Sequence, residues 1–207
     1  MKKRILGLGP NGQLVTESRV GRALPGSPTA HTVRRSAFLL LDRSSSMAGQ
    51  KLSQARAGAE DFARTAISKG YLVGLVVFSS EAVLACSPDR SIEPIVSRLD
   101  VLAADGGTNM TAALELATGH LRELSGERAI VLVTDGAPDD RNSALAVGRQ
   151  AARLGIRVIT IGTDDADIGF LRELSSDADL ANKVDAAQLR QGIAAAARRL
   201  TSGTPPQ

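Results

Sequence analysis

The chain has 207 residues, 43% of them apolar and 23% charged, so one domain can bury a substantial core without disulfide or metal staples. Its single cysteine, Cys86, excludes an internal disulfide and gives no sign of an oxidising compartment. No stretch approaches the roughly 18 apolar residues of a membrane-spanning helix. The net charge of +3 is uneven, because residues 1–36 set Lys2, Lys3, Arg4, Arg19, Arg22, Arg34 and Arg35 against Glu17 for +6, leaving 3 − 6 = −3 elsewhere.

Met1-Lys2-Lys3-Arg4 opens like a signal peptide, but Pro10-Asn11-Gly12 cuts the apolar region short, so a cytoplasmic location is expected. A basic arm suits nucleic acid, yet the four Phe and one Tyr of the chain all lie beyond it, which leaves little for base stacking and argues against that partner. Gly7-Leu8-Gly9-Pro10-Asn11-Gly12 has the spelling of a dinucleotide-binding loop. The context refuses it: Gly21, Pro25, Gly26 and Pro28 forbid the helix that must follow, and the expected acid is missing. The segment reads as a β-hairpin, 4–9 and 13–18, turned by Pro10-Asn11-Gly12. Residues 19–35 read as an irregular linker with a solvated His31. The arm, 1–35, is expected to be separable and to serve docking or self-association.

From Ser36 onward, strands and helices alternate. The apolar run 37–41 suits a strand buried on both faces, with Asp42 at its carboxyl end. A helix is predicted over 52–68, with Leu52, Ala55, Ala59, Phe62, Ala63 and Ala66 on one face and Lys69-Gly70 ending it. Strand 71–78 is followed, after Ser79-Ser80-Glu81, by 82–86, which must be antiparallel because so short a link forbids a parallel crossover. A helix over 92–102 carries Pro94 in its first turn. After the loop Asp105-Gly106-Gly107-Thr108-Asn109 come a helix at 110–124 and a strand at 129–133 that ends in Thr134-Asp135-Gly136. Helix 141–154, stopped by Gly155, and strand 156–161 follow. Asp164, Asp165 and Asp167 read as a loop and a cap for helix 168–174. A short strand at 180–184 and a closing helix at 186–200, with Leu189, Ile193, Ala197 and Leu200 inward, complete the domain, 36–201, before a flexible tail at 202–207. The fold class is α/β: a doubly wound, mostly parallel six-stranded sheet with one antiparallel edge strand and helices on both faces.

Asp42, Ser44 and Ser46 are spaced by two, so in an extended or tightly turning loop all three side chains converge on one point. Carboxylate and hydroxyl oxygens suit Mg²⁺ or Mn²⁺. In its apolar strand running into Asp-x-Ser-x-Ser, its Thr108 in a glycine-rich loop and its Thr134-Asp135-Gly136, in that order, the chain resembles the metal-ion-dependent adhesion site (MIDAS) of von Willebrand factor type A (vWA) domains, over about 37–200. The resemblance implies a Rossmann-like vWA fold in which Ser44, Ser46 and Thr108 contact Mg²⁺ or Mn²⁺ while Asp42 and Asp135 act through water and hydrogen bonds. It also implies a regulatory or scaffolding module rather than an enzyme, one whose metal takes a Glu or Asp carboxylate from a partner protein. Small bacterial members occur beside phosphatases, kinases and AAA+ ATPases, which makes these the partner candidates. Arg43, at a variable position of the motif, is a cation that either repels the metal or helps hold an acidic partner.

Two other readings compete. In the plainest, Asp42 and Asp135 only cap helices and the serines form turn hydrogen bonds. The enzymatic alternative is a metal-dependent phosphohydrolase. Phosphatases of the haloacid dehalogenase type require Asp-x-Asp, however, and position 44 is serine. G-x-S-x-G is absent, neither His31 nor His120 sits in a suitable late loop, and no nucleophile with a base emerges. His120 reads as a structural residue and Cys86 as a packing one.

Overall fold

The computed structural model describes residues 4–8, 14–17, 34–163 and 165–200. The chain divides into two units, Met1–Thr32 and Val33–Gln207. In the first, strands β1 (Arg4–Leu8) and β2 (Leu14–Glu17) pair antiparallel, with an irregularity between Ile5 and Gly7. The turn between them, His31, Asp164, the tail and all but the end of the expected linker lie outside the described residues.

In the second unit the β-branched and leucine-rich runs form six strands: β3 (Arg35–Asp42), β4 (Tyr71–Phe78), β5 (Ala82–Asp89), β6 (Glu127–Thr134), β7 (Ile156–Thr163) and β8 (Ala181–Val184). They form one sheet in the order β5-β4-β3-β6-β7-β8, parallel except for β5, which pairs antiparallel with β4 at the edge. The central strands are apolar on both sides because helices cover both faces. Against Ala37, Leu39 and Leu41 pack α1 (Gln50–Ser68), α2 (Glu93–Asp100) and α6 (Leu189–Arg199). Against Phe38 and Leu40 pack α3 (Met110–Arg122), α4 (Arg141–Arg153) and α5 (Ile168–Leu174). The alternation of side chains along β3 thus divides one strand between two cores.

Local chemistry sets most of the ends. Asn109, Asp140 and Asp167 cap α3, α4 and α5 by accepting from the N–H three residues on. Gly70, at φ +84°, turns the chain out of α1. Some bounds differ from expectation. β5 runs on through Pro88, which an edge strand tolerates, and its register shifts twice against β4. A 3₁₀ turn at Ala178–Leu180 delays the last strand to Ala181, and another at Ala186–Gln188 precedes α6. His120 is exposed and tilts over the Phe38 ring at 5.8 Å, a structural contact.

Candidate metal centre

Because β3 and β6 are paired neighbours, Asp42 and Thr134-Asp135 emerge side by side at the carboxyl edge of the sheet, where open α/β sheets place ligands. Asp42 is wholly buried and both its oxygens are engaged: Oδ1 accepts from the Ser44 N–H at 2.7 Å, Oδ2 from the Thr134 hydroxyl at 2.6 Å. Burial pushes its carboxyl above the ordinary range, and Asp135 adds to that, while the bonds from Thr134 and Ser44 oppose it. Asp135 is buried too. Its Oδ1 accepts from the Ser46 hydroxyl at 2.8 Å and its Oδ2 from the Lys51 ammonium at 2.7 Å.

The two serine hydroxyls lie 3.1 Å apart, Ser44 buried and Ser46 exposed. Adjacent ligands of an octahedral Mg²⁺, each about 2.1 Å from the ion, lie about 3.0 Å from one another, so this separation fits the edge of such a shell. The glycine-rich loop is tied to the same place by the backbone: Ser45 N–H donates to Gly106 O at 3.0 Å and Asp105 N–H to Arg43 O at 2.8 Å. Gly106 has φ +76°, a backbone conformation that favours glycine, and a Cβ there would also press on Ser80 Oγ at 2.8 Å. Thr108 follows with its carbonyl accepting from Met110 and Asp139, and its hydroxyl lies beside Gly136, where a Cβ would sit 3.9 Å away.

All five candidate residues therefore come to one rim, and the plain reading in which the two acids only cap helices does not describe them. Their oxygens accept from the Ser44 N–H, two hydroxyls and an ammonium, none of them a helix first-turn N–H. Hydroxyl donors backed by two carboxylates, with an ammonium already drawn to one of them, fit a hard divalent ion such as Mg²⁺ or Mn²⁺. Arg43 is not beside this group. Its guanidinium donates to Ala103 O at 3.3 Å and lines a surface cavity of about 370 Å³ with Val83 and Val101. Among the described residues, Lys51 is a cation that does reach the rim, through Asp135. Thr134 was legible only as part of Thr-Asp-Gly, and Lys51 carried no signal, because the sequence starts the helix at Leu52 and only the structure, starting it at Gln50, puts Lys51 in its first turn. Among the described residues, no cluster of three or more His, Cys, Asp or Glu forms an alternative metal site.

A family model for the von Willebrand factor type A domain matches residues 38–195, most of the chain and the whole rim. The chain belongs to the von Willebrand factor type A domain family. This is a family of interaction and adhesion modules. Among solved structures, the vWF domain of the type V pili tip protein Mfa5 from Porphyromonas gingivalis superposes with TM-score 0.75 at 14% identity, covering 86% of this chain and 98% of that one. BatB, a conserved hypothetical protein from Bacteroides thetaiotaomicron, gives TM-score 0.68 at 19% identity over 82% of this chain and 100% of its own. The pilus adhesin SpaC from Lactobacillus rhamnosus GG gives 0.71 at 16%, over 82% and 30% respectively. At these identities the likeness is one of fold. A search among curated proteins gave no match. Among the described residues of this vWA chain, no helix is long and apolar enough to cross a membrane.

Proposed function

We propose that the rim is a metal-ion-dependent adhesion site and that the protein is a binding module rather than an enzyme. Ser44, Ser46 and Thr108 would hold Mg²⁺ or Mn²⁺ directly, with Asp42 and Asp135 acting from behind. The observation that carries this reading is the pair of serine hydroxyls 3.1 Å apart over two buried, fully hydrogen-bonded carboxylates. Neutral hydroxyl ligands leave the dication's charge less closely balanced than direct carboxylates would, so a further anionic ligand is favoured. A Glu or Asp of a partner protein supplies it, which makes the interaction metal-dependent and reversible. Two structural neighbours are a pilus tip protein and a pilus adhesin, in keeping with a binding use of the fold. For this chain we favour a regulatory or scaffolding role in the cytoplasm, with a phosphatase, a kinase or an AAA+ ATPase as partner.

Titration calorimetry of the full chain with Mg²⁺ and Mn²⁺ tests the reading. Asp42→Ala is expected to abolish the binding heat and Ser44→Ala to weaken it, with circular dichroism confirming that each variant is folded. Equal heats for parent and both variants would move the metal elsewhere.

A further inference from the structure

Lys51 is the second residue of α1, at the end of the helix where the aligned peptide dipoles already place positive charge. The first turn holds no acid to offset it. The ammonium reaches instead to Asp135, whose side chain is completely buried, at 2.7 Å, while Lys51 itself is 18% exposed. The other oxygen of that carboxylate takes the Ser46 hydroxyl, which is 3.1 Å from the Ser44 hydroxyl. A monocation therefore shares the Asp135 carboxylate with Ser46, whose hydroxyl in turn meets that of Ser44.

We infer that Lys51 is an internal competitor of the metal, and this rests on the metal-binding reading of the rim. The ammonium and a divalent ion draw on the same Asp135 carboxylate, and like charges a few ångströms apart in a partly buried site repel. Lys51 also keeps the site stable when metal-free, because a buried carboxylate that loses its cation is costly. The fully ligated affinity of the donor set is thus held down by a residue that is part of the fold, and metal occupancy becomes sensitive to the free ion concentration. Were Lys51 instead a positioning residue that orients Asp135 for the metal, its removal would have the opposite sign.

The experiment is titration of the full chain with Mg²⁺ and, separately, Mn²⁺ for the parent, Lys51→Met and Lys51→Arg, together with thermal unfolding in EDTA and in saturating Mg²⁺. Lys51→Met is expected to tighten Mg²⁺ by about tenfold, to unfold earlier than the parent in EDTA, and to gain more from Mg²⁺. Lys51→Arg, which keeps the charge, stays close to the parent. Lys51→Gln, which retains a hydrogen-bond donor without the charge, replaces the Met variant if that one does not fold in EDTA. An unchanged or weaker metal affinity without the charge overturns the competitor role alone. If the parent and every variant show neither heat nor thermal shift with either ion, the metal reading falls and the inference falls with it.

Discussion

At the scale of single residues, the side chain that organises the rim is Asp42, and what holds it is Thr134. The Thr134 hydroxyl is wholly buried, donates to Asp42 Oδ2 at 2.6 Å and accepts from the Gly136 N–H at 3.2 Å. Thr134→Val keeps the shape of the side chain and leaves both of those groups short of a partner. The variant should lose about 1–3 kcal/mol of stability and bind Mg²⁺ more weakly, with Thr134→Ser restoring both. Urea unfolding followed by circular dichroism and calorimetric titration measure the two effects. A variant with normal stability and normal metal affinity would remove Thr134 from the site.

At the scale of elements, the stripe on α1 is complete only with a residue that carries no side chain. Gly58 lies on the same buried face as Ala55, Ala59 and Phe62. A Cβ built on it would come within 3.0 Å of Arg190 Cα and O and of Ile193 Cβ. Helix α6 therefore rests directly on the α1 backbone, and Arg190 closes the contact with a two-pronged bond to Asp61, at 2.6 and 3.2 Å. Small residues along α1 let the helices approach, and the approach buries Leu189, Ile193 and Ala197. Gly58→Ala should push α6 outward and cost about 1–3 kcal/mol, the usual penalty for overpacking, despite the better helix propensity of alanine. Thermal unfolding reads this directly. An equal or higher melting temperature would mean that α6 can shift without loss.

At the scale of the whole molecule, charge sets the response to acid. The bond from Arg190 holds the Asp61 carboxyl below its ordinary value; the Phe170 N–H and Arg141 do the same for Asp167, and Ser143 for Asp140. Each contributes stability that is complete above the unfolded carboxylate pKa of about 3.9 and is lost as pH falls through the lower folded value. Asp42, raised by burial, works in the other direction: its ionised form costs stability at neutral pH, and the cost is relieved as pH falls through its folded pKa. The urea midpoint in EDTA should accordingly be level or slightly higher at pH 5 than at pH 7, then drop below pH 4. With no tryptophan and one tyrosine in the chain, circular dichroism is the suitable probe. A steady decline from pH 7 to pH 5 would show that other groups dominate.

Apolar runs bounded by turn residues marked the central strands, 3–4 spacing marked the inward faces of the first and last helices, and the short Ser79-Ser80-Glu81 link required the antiparallel edge, because all of these depend on residues close together in the chain. The Asp-x-Ser-x-Ser cluster was legible for the same reason. Other features join residues far apart, and these waited for the tertiary structure. Lys51 and Asp135 are 84 positions apart, and Thr134 and Asp42 are 92. That Asp42 and Asp135 end neighbouring strands was expected from the sequence, but no local pattern gives the individual bonds that tie those ends together. Nor could the pattern say that Arg43 turns to Ala103 while Lys51 reaches the rim, since the direction of each side chain is set by the backbone of the loop and helix that carry it. The role of Gly58 is visible only once α6 lies against it. Strand order and helix packing, not local composition, put these groups in contact and decided which cation faces the site.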